Sequence, residues 1–140
     1  MVLPYYLDKC IPVAGDPVYV SYPAIQILIS GQPYTIPADI GVSRTCVRPI
    51  NTRGNTGVIH IDAFEERLYT VQDFFLVWGA TYGSAYAIFN RNQLFLYKTD
   101  GQHNITMTVN GQPNFAYETQ QFPTNANVTS LPYNIIISYG

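Results

Sequence analysis

Charge is what this chain has least of. Lys and Arg number 7 and Asp and Glu 9, so charged side chains make up 11% of its 140 residues, against roughly 25% in an ordinary soluble domain. The 7 cations are scattered and the formal net charge is -2. Phosphate binding needs clustered Lys and Arg, so the composition argues against a nucleic-acid partner. Long apolar runs are missing as well: no stretch reaches the ~18 consecutive apolar residues of a membrane-spanning helix. Glycines are isolated and none precedes a Lys-Ser/Thr pair, which removes a phosphate-cradling loop. No Gly-x-Ser-x-Gly elbow is present to activate a serine.

Cysteine is nearly absent. Cys10 and Cys46 are the only two, enough for one bridge. Two readings stay open: a disulfide closing a long loop, worth about 3–4 kcal/mol of chain entropy, or two buried thiols acting as small hydrophobes. Two Asn-x-Thr sequons, at Asn104 and Asn127, agree with a disulfide in pointing to an exported, glycosylated protein. The opening MVLPYYLDKCIPVAGD has neither a basic start nor a continuous apolar region and does not read as a signal peptide. Export then implies a leader outside this numbering.

What is present is neutral, polar and aromatic. Apolar residues make up 47% and tyrosines number 12, so Thr, Asn, Gln and Tyr must supply much of the solvent face. Such a surface repels its own copies weakly. The length fits one domain with one core.

Residues 1–17 carry Pro4, Pro12 and Pro17 with Gly15 and read as an extended arm preceding a β-rich domain over 18–140. Val18 to Tyr22 is rich in strand formers. Ile25, Ile27 and Ile29 alternate with Gln26, Leu28 and Ser30, a period of two that marks a strand. Ser30-Gly31 and Asn110-Gly111 each precede Gln-Pro, predicting two similar hairpins whose return strands are short or at an edge, because proline cannot donate to a ladder. Val58 to Asp62, Tyr86 to Phe89 and Leu94 to Lys98 read as strands, with residues 86–117 forming an antiparallel meander. Residues 134–139 are apolar on both faces, as a central strand requires.

One helix is predicted. Thr70 caps it, Asp73 meets its first-turn N–H groups, Tyr69 and Phe74 form a hydrophobic staple and Gly79 stops it. Val71, Phe74, Phe75 and Trp78 fall at i, i+3, i+4 and i+7, one stripe to be packed on a sheet. The expected class is therefore mainly β, an antiparallel β-sandwich or β-grasp-like sheet with one short helix.

The stretch from Arg48 to Gly79 resembles a family of small exported β-domains from archaea and some bacteria, which has no established activity. There a His-Thr-His-Asp loop leads into a Thr-Gly-Ile-Ile-His-Val-Glu strand and a helix that begins Tyr-Thr-Leu-Gly-Asp-Phe-Phe and ends Trp-Gly. Matching positions here are Thr52, Thr56, Gly57, Ile59, His60, Asp62, Arg67, Tyr69, Thr70, Asp73, Phe74, Phe75, Trp78 and Gly79, and residues 36–41 fit its earlier loop. The similarity spans about residues 25–118 and implies fold and compartment. Where the family has loop histidines this chain has Asn51 and Arg53, and Gly54 replaces the loop aspartate. Three imidazoles would suit copper or zinc; only His60 remains, and Arg53 opposes a cation.

His60 and Asp62 lie at i and i+2 on one strand face, where a carboxylate orients an imidazole. No nucleophile accompanies them. Asp62, Glu65 and Glu66 could supply the paired carboxylates of glycoside chemistry, but adjacent acids before a helix are usually solvated, and His103 sits in a polar turn. The composition and motifs favour a non-enzymatic, cofactor-free module of the cell surface or extracellular space that self-associates into an oligomer or filament, an arm or terminal strand completing a neighbour's sheet. One alternative is a copper or zinc module centred on His60 and Asp62. The other is a glycan-binding domain using tyrosine faces, although no tyrosine cluster stands out in the sequence.

Overall fold

The computed structural model describes residues 2–140. In chain order its strands are β1 (Tyr19–Ser21), β2 (Ala24–Ile29), β3 (Gln32–Tyr34), β4 (Ile50–Asn51) and β5 (His60–Ala63). The helix α1 (Val71–Tyr82) and a 3-10 turn (Ser84–Ala87) follow. Then come β6 (Phe89–Asn90), β7 (Gln93–Leu94), β8 (Tyr97–Lys98), β9 (Ile105–Val109), β10 (Gln112–Pro113) and β11 (Asn134–Tyr139). The fold is mainly β with one helix, as its sequence pattern requires.

The principal sheet has five strands in the order β10-β9-β11-β2-β3. The last strand of the chain lies in the middle, antiparallel to β9 and parallel to β2. Its two flanks are the two Gly-Gln-Pro hairpins. Each turns through two residues of positive φ, Ser30-Gly31 and Asn110-Gly111, the type I′ geometry whose twist matches the strands. Pro33 pairs with Leu28 and Pro113 with Thr108, one step beyond the turn-closing pair, where the backbone nitrogen points outward. Both open edges thus carry a proline in place of a free N–H.

Alternation buries Ile25, Ile27, Ile105, Met107, Ile135 and Ile137 on the inner face of this sheet. The outer face carries Gln26, Leu28, Thr106, Thr108, Ile136 and Ser138, and none of the five strands contains a charged residue. Two smaller sheets, β1-β5-β4 and β6-β7-β8, share the same continuous core with the helix. The expected meander over 86–117 is therefore divided. β6 to β8 form their own sheet, β9 and β10 join the large one, and Tyr86 sits in the 3-10 turn rather than in a strand.

The helix begins where its capping signals lie. The Asp73 N–H donates to Thr70 Oγ1 at 3.3 Å and Asp73 Oδ2 accepts from the Thr70 N–H at 2.9 Å, a reciprocal cap. Its end is different from the expected stop. Gly79 lies inside the helix, which runs on to Tyr82 and is capped by Gly83 at φ 131°. Gly79 serves close approach instead: a Cβ there would stand 2.5 Å from Ala87 Cβ and 2.9 Å from Ala87 N.

The N-terminal segment also departs from an arm lying off the core. Leu3 and Leu7 are buried in the common core, and Cys10 is bonded to Cys46. Closing a loop with a sequence separation of 36 stabilises the fold by about 4 kcal/mol on the chain-entropy estimate. Gly79→Ala is expected to destabilise by about 1–3 kcal/mol, because the backbone of the 3-10 turn must shift. A urea unfolding midpoint measures it, and an unchanged midpoint would refute this packing role.

Candidate functional site

The His60 region is built by the β4–β5 pair, in which Asn51 faces His60 directly. Asn51 is fully buried and acts as a staple. Its Nδ2 donates to the Arg48 carbonyl at 2.9 Å and lies 3.5 Å from Asp62 Oδ2, while its Oδ1 accepts from Arg53 Nε at 2.7 Å. Next to it, buried Thr52 donates to the Pro37 carbonyl at 2.8 Å and accepts from the Ile40 N–H at 3.0 Å. The loop that looked most like chemistry is thus fastening its own backbone. His60 is half-buried with Tyr22 edge-on to its ring at 5.0 Å. Burial, and then the Arg53 charge, lowers its pKa, while Asp62 opposes the shift. No group of three or more His, Cys, Asp or Glu side chains is gathered among the described residues.

Of the two adjacent glutamates, Glu66 is exposed and Glu65 is engaged. Glu65 pairs with Lys9 at 3.2 Å and with Arg67 Nε at 3.3 Å. The Lys9 hydrogen bond first, and then Arg67, hold its carboxyl below its ordinary value, the opposite of the raised carboxyl a general acid needs. His103 packs against Asp100, Nδ1 to Oδ1 2.9 Å, and stacks on Tyr139 with ring centroids 5.4 Å apart. Asn104 is exposed where the chain enters β9. Asn127 is exposed in a turn, its Oδ1 accepting from the Thr129 N–H at 3.0 Å.

Two further features come from tertiary contacts. The first is the docking of the N-terminal segment. Tyr6 OH donates to Asp73 Oδ1 at 2.8 Å, so the capping carboxylate also holds the segment around Tyr6. Burial, then this bond, pushes the Tyr6 phenol up to about 12. The Arg67 guanidinium lies 4.0 Å from the Tyr6 ring centroid and donates to Tyr5 OH at 2.8 Å. Asp8 meets Arg48 at 3.0 Å. Beyond the disulfide the character changes. The Ile11 N–H donates to Val47 and the Val18 N–H to Ala63, but among the described residues no backbone group of 12–17 has a backbone partner. Val13 there is fully exposed.

The second is an aromatic groove of about 440 Å3 lined by Tyr34, Thr35, Pro37, Trp78, Tyr82 and Tyr86. Trp78 stacks on Tyr86 with centroids 5.1 Å apart and planes 8° from parallel, and Phe95 closes on it edge-on at 5.1 Å. Val71, Phe74, Phe75 and Trp78 are all buried, so the helix stripe is core packing, and the groove forms where that core reaches the surface. A larger groove of about 520 Å3 lies between β2, β3, β11 and residues 55–57, again without a charged lining residue. Sequence reading finds neither groove, because the lining residues are far apart in the chain and share no spacing.

No family model, curated protein or solved structure matches the chain. Its chemistry is therefore read from its own geometry.

The lowered pKa of His60 has a definite sign. The folded value lies below the ordinary 6.5, so stability is full above that value and is lost as pH falls through the folded pKa. Between about pH 7 and 5, the wild type is expected to lose more unfolding free energy than a His60→Gln variant. Parallel pH profiles for the two would overturn the assignment.

Proposed function

We propose that the chain is a non-enzymatic structural module of the extracellular space or cell surface that associates with copies of itself. The observation that carries this reading is the segment 12–17: uncharged up to Asp16, exposed over 12–16, without backbone partners, and pinned at both ends by the disulfide and by β1. A loop held so firmly at its ends and so bare in its middle is suited to contact rather than to core packing. The disulfide supports an oxidising compartment, and the scarcity of charge leaves little to keep copies apart.

The form of the contact follows from the edges. β11 is already enclosed by its own sheet, and the edges of that sheet present Pro33 and Pro113. Completing a neighbour's five-stranded sheet by strand addition is therefore disfavoured, and side-chain insertion by the 12–17 loop is the better fit. Removing residues 1–17 would also strip Leu3 and Leu7 from the core and leave Cys46 unpaired. The informative change is replacement of residues 12–16 by a Gly/Ser stretch of equal length.

In sedimentation experiments the wild type is expected to show concentration-dependent species above the 15.7 kDa chain mass. The loop variant is expected to stay at that mass with an unchanged near-UV circular dichroism spectrum. Normal assembly by the variant would remove the loop from the contact, and a wild type that remains monomeric at millimolar concentration would remove self-association itself.

A further inference from the structure

The fold places the two Asn-x-Thr sequons very differently. We infer that Asn127 is an acceptor for an N-linked glycan in the folded protein and that Asn104 is not. This shares with the reading above only the exported compartment and is independent of self-association. Asn127 opens a tight turn. Its N–H donates to the Leu131 carbonyl at 2.9 Å and its carbonyl accepts from the Leu131 N–H at 3.2 Å, so residues 127–131 form a closed tip. All of 127–132 are exposed, whereas Ala126 just before them is 3% exposed. The base of the tip is clamped to the end of β1: the Ala126 N–H donates to Ser21 Oγ at 3.0 Å, and the Tyr22 N–H to the Ala126 carbonyl at 2.8 Å. A tip held in this way is open to a large enzyme without any unfolding.

Within the tip three donors converge on one atom. Asn127 Oδ1 accepts from the Thr129 hydroxyl at 2.9 Å, the Thr129 N–H at 3.0 Å and the Ser130 N–H at 3.3 Å, which leaves Nδ2 without a partner among the described residues. This is an Asx turn. A carboxamide nitrogen is a poor nucleophile, because its lone pair is delocalised onto the oxygen. In the transfer step Nδ2 bonds to C1 of a sugar carried on a lipid pyrophosphate. The C1–O bond breaks with its electron pair leaving on the phosphate, and one Nδ2 proton passes to a base of the transferase. Negative charge gathers on Oδ1 as that proton departs, and the three donors are already in place to hold it. Asn104 has the same sequence pattern in the opposite setting. Its N–H donates to the Gly140 carbonyl and its carbonyl accepts from the Gly140 N–H, both at 3.0 Å, while Thr106 lies within β9 opposite Ser138 of β11. Strand extension holds the two sequon side chains about 6.6 Å apart along the backbone. To make the same turn, the start of β9 must leave the central strand of the principal sheet, and strands of that kind open only at a large fraction of the global unfolding cost.

The test offers the purified, disulfide-bonded chain to an oligosaccharyltransferase that accepts Asn-x-Thr without further sequence requirement, with a polyprenyl-pyrophosphate-linked oligosaccharide as donor. Synthetic peptides of residues 101–109 and 124–132 are run beside it, so that each sequon is also read without its fold. Mass-spectrometric mapping is expected to find Asn127 of the folded chain occupied about tenfold or more above Asn104, and the two peptides occupied to a comparable extent. An Asn127→Gln chain is expected to take up almost no glycan. Equal occupancy of the two sites in the folded chain, or occupancy of Asn104 alone, would overturn the inference. So would a folded chain left bare at Asn127, whether or not the 124–132 peptide is modified. None of these results bears on self-association, which sedimentation reads separately.

Discussion

The pairing of β11 with β2 on one side and β9 on the other is the interaction on which the rest depends. β2 and β11 are separated by most of the chain, and their parallel contact cannot be made by a local turn. β4 to β8, the helix and the aromatic groove all lie in the chain between them, on what is in effect one long crossover. Ile135 and Ile137 complete the row begun by Ile25, Ile27, Ile105 and Met107. Without the last strand, the two hairpins would be separate ribbons too small to hold a core. Such closure is costly in loop entropy and slow to form.

The second constraint is convergence at the start of the helix. Asp73 satisfies the Thr70 N–H and the Tyr6 hydroxyl with its two carboxylate oxygens, while Arg67 covers the Tyr6 ring. A local capping feature thereby becomes a long-range tether. With Leu3 and Leu7 buried and Cys10 bonded to Cys46, residues 3–10 belong to the body of the protein, and the free part of the N-terminal segment shrinks to the stretch between the bridge and β1. The functional proposal is correspondingly narrower than a donated arm. The few charges are used close to home, in Asp8–Arg48 and Lys9–Glu65–Arg67, and the largest sheet has none.

How much was legible follows from the range of the interactions involved. The helix cap, the Val71/Phe74/Phe75/Trp78 stripe and the two hairpins are local patterns, and each was readable. The interior position of β11 was readable from apolar residues on both faces. Gly79 was misleading because a glycine near a helix end resembles a stop, whereas here it makes room for Ala87. Tyr86 was misleading because an aromatic beside Ile88 and Phe89 resembles a strand, whereas its place is set by stacking on Trp78. His60 and Asp62 could be assigned to one face by periodicity, but the burial and the Arg53 charge that lower the His60 pKa are properties of the packed protein.

The sequence by itself determined the mainly β class, the single helix and its start, the two proline-marked hairpins, the central character of the last strand and the scarcity of charge, because these depend on composition and on contacts within a few residues. The tertiary structure alone decided that Cys10 and Cys46 pair, that Leu3 and Leu7 are core, that Asn51 and Arg53 fasten a loop, and that aromatic residues from three separate segments meet in one groove. Those outcomes rest on distances between residues far apart in the chain, which no spacing along it encodes.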